Sequence, residues 1–385
     1  MEHLALYRKY RPKDFNEVVG QEHITKTLIN QIKNNNISHA YLFCGTRGTG
    51  KTSIAKIFAR AINCTNLRVN GEICGKCEAC VSLNDAGNLD IVEIDAASNN
   101  GVDNIRELRE KIKYSPISCE YKVYIIDEVH MLSDSAFNAL LKTLEEPPRH
   151  AIFILATTES QKIPATIASR CLKFVFKLLE QEQLVNHLKN IFNKENIKFE
   201  DEAVELIASL GEGSVRDMLS VAEMCVAFSN NNVTYDETIK ALGVTNRDLL
   251  YKMASAILSK DAKILIEEID VAYKSGKNMV QLSKDLLNYF RDLMVAKTNA
   301  DSNKFLRLPQ DIFNKLLSLA EQVTKERLLN ILIKLSGLEQ EFRFTQNPKT
   351  LFEITVISLL SDSDYEKLEK KVVALEAKLN KLVNP

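Results

Sequence analysis

The stretch Gly45-Thr46-Arg47-Gly48-Thr49-Gly50-Lys51-Thr52 follows an apolar run, Tyr41-Leu42-Phe43-Cys44, and opens a helical pattern with Ile54, Ala55, Phe58, Ala61 and Ile62 on one face. It fits G-x-x-x-x-G-K-[ST] in the strand, loop and helix setting that the motif requires. Glycines let such a loop turn tightly and aim successive backbone N–H groups inward, with the positive end of the helix behind them. Lys51 is expected to reach the terminal phosphates of a nucleotide and the Thr52 hydroxyl to bind magnesium, with Ser53 beside them in the cradle. A chain that carries this element is constrained to an α/β layer architecture with a parallel sheet.

The surrounding pattern agrees. The first 180 or so residues alternate short apolar runs with helical stretches, the signature of a parallel sheet covered on both faces. Strands are expected at Ala40 to Cys44, Asp90 to Ile94, Lys122 to Ile126 and Ala151 to Ala156, and helices at Lys51 to Asn63, Asn104 to Ile112 and Ser135 to Leu144. From about Glu180 the strand signal disappears. Amphipathic helices follow at Glu180 to Glu195, Asp201 to Leu210 and Val215 to Phe228, and the polar stretch Ser229-Asn230-Asn231-Asn232 with Val233 to Gly243 reads as the seam to a third, helical region ending near Ser361. The last segment, Tyr365 to Val383, spaces Leu368, Val372, Leu375, Leu379 and Leu382 as a heptad pattern, too short for a sustained coiled coil.

A second apolar strand, Lys122 to Ile126, runs into Asp127-Glu128-Val129-His130, so its carboxylates emerge at the C-terminal edge of the sheet, where α/β proteins bind ligands. Asp127 is expected to complete the magnesium shell and Glu128 to orient and polarise the attacking water. Cys64, Cys74, Cys77 and Cys80 read C-x9-C-x2-C-x2-C, with Gly75 at the turn. Four soft thiolates match a closed tetrahedral zinc site of structural type. The insert that carries them is too polar to hold itself by burial alone. Of the remaining cysteines, Cys44, Cys119, Cys171 and Cys225, the first and last read as small buried apolar residues.

Charge narrows the functional classes. Lys and Arg total 50 against 51 Asp and Glu, a formal charge of -1, so any nucleic-acid contact must come from a local basic surface. The longest apolar run, Ala151 to Ala156, is far short of a membrane span, and Met1-Glu2-His3 lacks a signal pattern. A cytoplasmic location is expected, where clustered thiols bind metal and seldom pair.

Taken together, the loop at Gly45 to Thr52, the four-cysteine insert directly after its helix, Asp127-Glu128-Val129-His130 and Ser169-Arg170-Cys171 resemble the bacterial DNA polymerase III gamma/tau clamp-loader ATPases. The opening Tyr7-Arg8-Lys9-Tyr10-Arg11-Pro12 and Val19-Gly20-Gln21-Glu22-His23 are similar to that family's first signature. The likeness is close over about the first 240 residues and looser to about Ser361. It implies an AAA+ fold: a RecA-like ATPase domain over 1–179 with the zinc module at 64–80, a helical lid over 180–243, a helical collar joining subunits over 244–361, and a charged terminal helix over 362–385.

Carried over residue by residue, the resemblance implies that Arg11, Val18 and Val19 lie near the adenine, that Thr158 senses the γ-phosphate and that Arg216 reaches down from the lid as a second sensor. Arg170 is implied to be an arginine finger inserted into a neighbouring subunit's site. An Arg near a helix start opposes the macrodipole unless something anionic compensates, which favours a ligand for Arg216 over a simple ion pair. The implied activity is ATP hydrolysis that opens a sliding clamp and releases it on primed DNA, with ATP, Mg2+ and Zn2+ as cofactors. The implied partners are the other clamp-loader subunits, the sliding clamp, primer-template DNA and the polymerase core, within a DNA-directed DNA polymerase complex whose nucleotidyl-transfer site lies on another chain.

Two departures stand out. Several bacterial relatives carry basic residues just after the Asp-Ala-Ala-Ser element, whereas Asp95-Ala96-Ala97-Ser98 is followed here by Asn99-Asn100-Gly101, leaving Arg106 and Arg109 as the candidates for phosphate contact beside a solvated-face reading. Tau-type members also continue into further domains, and a chain ending at Pro385 fits a gamma-like form or a fragment. Two rival functions remain at this stage. A scaffold that binds nucleotide without turnover is disfavoured by Lys51 and Glu128. A helicase or branch-migration motor is disfavoured by the cysteine insert and the lack of a second motor core.

Overall fold

The structure, a computed structural model, describes residues 4–68, 71–83, 88–243, 245, 247–298, 306 and 310–361. The heptad segment Tyr365 to Val383 lies outside them. The chain divides into two compact units, Met1–Leu242 and Gly243–Pro385.

The first unit is built on five parallel strands, β1 (Ala40–Cys44), β2 (Ile91–Asp95), β3 (Lys122–Asp127), β4 (Ala151–Thr157) and β5 (Leu172–Val175), in the order β2-β3-β4-β1-β5. Central strands of a parallel sheet are covered on both faces and read as continuous apolar runs. All five residues of β1 and all seven of β4 are accordingly buried. Alternate residues feed two cores. Leu42, Tyr124, Ile126, Phe153 and Leu155 face one side, under α5 (Val102–Ile112), α6 (Asp134–Glu145) and α7 (Ala165–Ala168). Tyr41, Phe43, Val123, Ile125 and Ile154 face the other, under α2 (Glu22–Lys33) and α3 (Lys51–Ile62), where Ile24, Leu28, Ile54 and Phe58 are fully buried. Each such side chain stabilises the fold by about 1.5–3 kcal/mol relative to exposure.

Register then decides where function can sit. Cys44 stands opposite Thr157, and Ile126 opposite Leu155. The loop beginning at Gly45, the Asp127-Glu128 pair and Thr158 therefore leave the sheet at one common edge.

A third core belongs to the helices that follow. Leu184, Leu188 and Phe192 of α8 (Gln181–Lys194), Val204 and Ile207 of α9 (Asp201–Leu210), and Met218, Leu219 and Ala222 of α10 (Val215–Phe228) pack together, joined by Leu242 at the end of α11 (Tyr235–Leu242). The short N-terminal helix α1 (Leu6–Lys9) contributes Leu6 and Tyr7 to this core.

Three expectations need correction. Edge strand β5 was not anticipated, because only Phe174 of its four residues points inward and the other three are exposed, which leaves no apolar run to read. The region after Glu180 is not purely helical: Lys198–Phe199 pairs in parallel with Asn232–Val233, a two-residue bridge across the third core. The strand expected from Asp90 starts one residue later, since the Asp90 carboxylate turns inward to accept from the backbone N–H groups of Ile117, Ser118 and Cys119.

In the second unit, the helix Met279–Thr298 is central, burying Leu286, Phe290 and Leu293. Around it pack Lys325–Glu341, through Leu328, Ile331 and Leu335, and Pro348–Ser358, through Phe352 and Val356. The helices Arg247–Ser259, Ala262–Lys274 and Gln310–Glu321 complete its described elements.

Candidate nucleotide site and cysteine cluster

The loop between β1 and α3 is held by its own side chains. Thr49 Oγ1 donates to the Thr46 carbonyl at 2.8 Å, and the buried Lys51 Nζ donates to the carbonyls of Gly45 and Thr46, each at 2.8 Å. Burial lowers the Lys51 pKa, an effect opposed by the nearby Glu128 and Asp127 carboxylates. Thr46 and Arg47 are exposed at the loop tip. Gly48 has φ +76°, and a Cβ built there would lie 1.9 Å from Ser214 Oγ and 3.2 Å from Arg216 Cβ. A side chain at position 48 is therefore excluded twice, by its backbone conformation and by the N-terminal turn of α10. Gly50 caps α3.

Thr52 Oγ1 donates to Asp127 Oδ2 at 2.8 Å, which sets a hydroxyl and a carboxylate side by side at the base of the loop. These are hard oxygen donors of the kind magnesium takes, together with water and phosphate oxygens. Glu128 has φ +48°, rare for a residue with a Cβ. The turn folds its carboxylate back, where Oε2 accepts from Thr158 N at 3.3 Å and Thr158 Oγ1 at 3.0 Å.

Other expected residues frame the cradle. Arg11 Nε donates to Ser53 Oγ at 3.1 Å. Val18 packs against the core under α2 and α3 while Val19 packs against the third core, so this pair spans the two bodies that flank the loop. The Arg216 guanidinium lies 5.4 Å from the Tyr7 ring centroid. Tyr7 was not anticipated, and neither was Ser214, whose Oγ accepts from Asp217 N as the N-cap of α10. Only proximity in the fold reveals them.

Arg170 is not brought to the loop of its own chain. Its guanidinium donates to Glu145 Oε1 at 2.7 Å and to the Thr166 carbonyl at 2.6 Å. Arg106 pairs with Asp103 at 3.1 Å, both exposed, and the partly exposed Arg109 lies 3.9 Å from Glu110.

The four cysteines of the insert converge, with their Sγ atoms all within 4.8 Å of one another. Zinc–sulfur bonds of about 2.3 Å in a tetrahedron require sulfur atoms about 3.8 Å apart, and Cys74 Sγ to Cys80 Sγ measures 3.8 Å. The backbone N–H groups of Lys76 and Cys77 donate to Cys74 Sγ, and that of Cys74 to Cys64 Sγ, as thiolate ligands need. Burial pushes Cys64 and Cys80 up, whereas backbone N–H groups hold Cys74 down. At Cys77 burial is outweighed by hydrogen bonds from Cys80 and Thr65, which lower it to about 6. The donor set fits zinc. Cys44 and Cys225 are buried away from the cluster. No helix of the described residues is long and apolar enough to cross a membrane.

Comparison with known proteins finds family models along most of the chain. The family models described as DNA polymerase III, delta subunit, as DNA polymerase III clamp loader subunit, ATPase lid domain, and as DNA polymerase III subunits gamma and tau domain III match residues 20–180, 183–231 and 233–375. DNA polymerase III subunit tau of Bacillus subtilis is 42% identical over 390 residues, covering 99% of this chain and 69% of that protein. The gamma/tau subunit of Mycobacterium tuberculosis is 40% identical over 98% of this chain and 66% of its own, so the chain spans about two thirds of these relatives. The gamma subunit of Buchnera aphidicola is 36% identical over 94% of this chain and 99% of its own length. Among solved structures, the RuvB branch migration motor of Thermotoga maritima aligns at 20% identity with a TM-score of 0.47, over 65% of this chain and 79% of that one, too distant to bear on function.

Parallel sheet, phosphate loop, acidic strand end and helical lid define an ATPase of the AAA+ class. More particularly, the chain belongs to the DNA polymerase III gamma/tau family.

Proposed function

We propose that this chain is a subunit of a clamp loader that binds ATP at the Gly45 to Thr52 loop and hydrolyses it at the junction with a neighbouring subunit, opening a sliding clamp and releasing it on primer-template DNA. In this reading residues 1–179 form the ATPase domain, 180–243 the lid and 244–361 the collar that joins subunits. The observation that carries it is the contact of Thr52 with Asp127, two oxygen ligands held together beneath a phosphate loop. They would hold magnesium, which when bound neutralises phosphate charge.

Gly45 to Ser53 cradle the phosphates, with Lys51 exchanging its two carbonyl partners for phosphate oxygens. Arg11, Val18 and Val19 border the adenine. Glu128 orients the attacking water, and Thr158 and Arg216 respond to the terminal phosphate. The pairing of Arg170 with Glu145 supports a role away from its own loop, as a finger for the next subunit's site. Zinc at Cys64, Cys74, Cys77 and Cys80 fixes the insert, and the polymerase core joins the partners through the same assembly.

The test is steady-state ATPase of the assembled complex with clamp and primed DNA. Turnover rises with both. Lys51→Ala abolishes ATP binding, while Arg170→Ala keeps binding and loses about 10³- to 10⁵-fold in turnover, the scale of arginine fingers elsewhere. An isolated chain that hydrolyses ATP as fast as the complex, or an Arg170→Ala complex with full turnover, overturns the reading.

A further inference from the structure

His130 enters none of the roles above, yet its surroundings are unusual. It lies in the single helical turn Val129–Met131 after β3, and the left-handed backbone of Glu128 turns it back beneath the end of β4. Its side chain is 7% exposed. Nδ1 lies 3.1 Å from Thr157 Oγ1 and 3.4 Å from Glu128 Oε2, while Nε2 lies 3.2 Å from Glu159 Oε1. Thr157 is itself buried and accepts from Glu159 N at 3.0 Å, so the acceptors around the ring are fixed to the end of β4.

The Glu128 carboxylate is engaged on one side only. Thr158 N, Thr158 Oγ1 and His130 Nδ1 all approach Oε2, and among the described contacts of this side chain none falls on Oε1. A carboxylate that orients water needs one oxygen anchored and the other open, because loss of the anchor lets the side chain rotate and lose the aligned geometry.

We propose that His130 is a positioning residue for hydrolysis: with a proton on each ring nitrogen, Nδ1 donates to Thr157 Oγ1 and pairs with the Glu128 Oε2 charge, which anchors that oxygen together with Thr158 and leaves Oε1 to hold the attacking water. This rests on the reading of Glu128 given above. The second ring proton, on Nε2, faces Glu159 Oε1 at 3.2 Å and fixes the ring from behind, and Lys162, 2.9 Å from Glu159, steadies that carboxylate in turn.

The experiment compares His130→Ala, His130→Asn and His130→Gln in the assembled complex with clamp and primed DNA, reading ATP affinity and kcat separately, beside Glu128→Gln. An Asn amide nitrogen can occupy the place of Nδ1, whereas a Gln amide reaches only toward Nε2. His130→Ala is expected to keep ATP affinity within about twofold and lower kcat by about 10²-fold, the cost of an ångström-scale misplacement. His130→Asn recovers most of the loss and His130→Gln does not. Equal recovery by the two amides, or a His130→Ala complex with wild-type kcat, overturns the proposal. If His130→Ala does not fold, the Asn and Gln pair, matched in chemistry and checked by thermal melting, decides alone. Glu128→Gln separates the two levels: if it turns over normally the reading of Glu128 itself fails, and if it is dead while His130→Ala is normal only the role of His130 fails.

Discussion

Gly48→Ala perturbs the point where the phosphate loop meets the lid. The added Cβ would lie 1.9 Å from Ser214 Oγ, a separation no pair of atoms tolerates, and 3.2 Å from Arg216 Cβ. Relief requires Ser214 to rotate away, which abandons its hydrogen bond from Asp217 N at 3.2 Å. Losing that cap costs about 1 kcal/mol. The φ of +76° adds about 1–2 kcal/mol for any residue with a Cβ. The total, about 2–3 kcal/mol, falls on the docking of α10 over the loop and corresponds to about 30- to 150-fold in ATP affinity. Titration with a fluorescent ATP analogue reads this directly. The second site distinguishes contact from general damage: Ser214→Gly removes the clashing atoms and as a cap costs only a few tenths of a kcal/mol. The double variant should regain about 1 kcal/mol, roughly fivefold. Wild-type affinity in Gly48→Ala, or strict additivity in the cycle, would show that the lid does not rest on this loop.

Two further outcomes follow from buried groups in the same unit. The Asp90 carboxylate, fully buried, is disfavoured by burial, but hydrogen bonds from Ile117, Ser118 and Cys119 outweigh it and hold its pKa below the ordinary 3.8. Its stabilisation is thus present above pH 3.8 and fades as pH falls below that value. Asp90→Asn should cost about 1.5–3 kcal/mol in urea denaturation at pH 7 and flatten the acid limb of the stability profile; an unchanged acid limb would refute this. Purified protein should carry about one zinc per chain, and strong chelators should make residues 64–82 protease-sensitive while the sheet core stays protected. Zinc content near zero would end the metal assignment.

What the sequence disclosed was whatever the backbone decides within a few residues. β1 was legible residue for residue because a doubly covered central strand must be apolar throughout. The loop from Gly45 to Thr52 was legible because its glycines and the following helix define its shape locally. The cysteine cluster was legible from spacing. β5 was not, since an edge strand that turns one of four residues inward carries no periodic signal. His130 stood in plain view within the Asp127 to His130 string, but nothing in its spacing says that Glu128 takes a left-handed turn and folds the ring against Thr157.

Arg216 shows what proximity in the fold adds to the sequence reading. A guanidinium in the first turn of α10 opposes the macrodipole, and the compensating group was expected to be anionic. The structure adds the π face of Tyr7, a residue from the opposite end of the unit that no periodicity could connect with α10. At an exposed site a cation–π contact is worth about 0.5–1 kcal/mol, against about 1.5–3 kcal/mol for a hydrogen bond to a charged group. A contact of that strength orders the guanidinium without competing with a phosphate for it. The residue proposed to respond to nucleotide is therefore held by a partner weak enough to yield, whereas Arg170, proposed to serve another subunit, is held by a carboxylate at 2.7 Å that the arriving neighbour must displace.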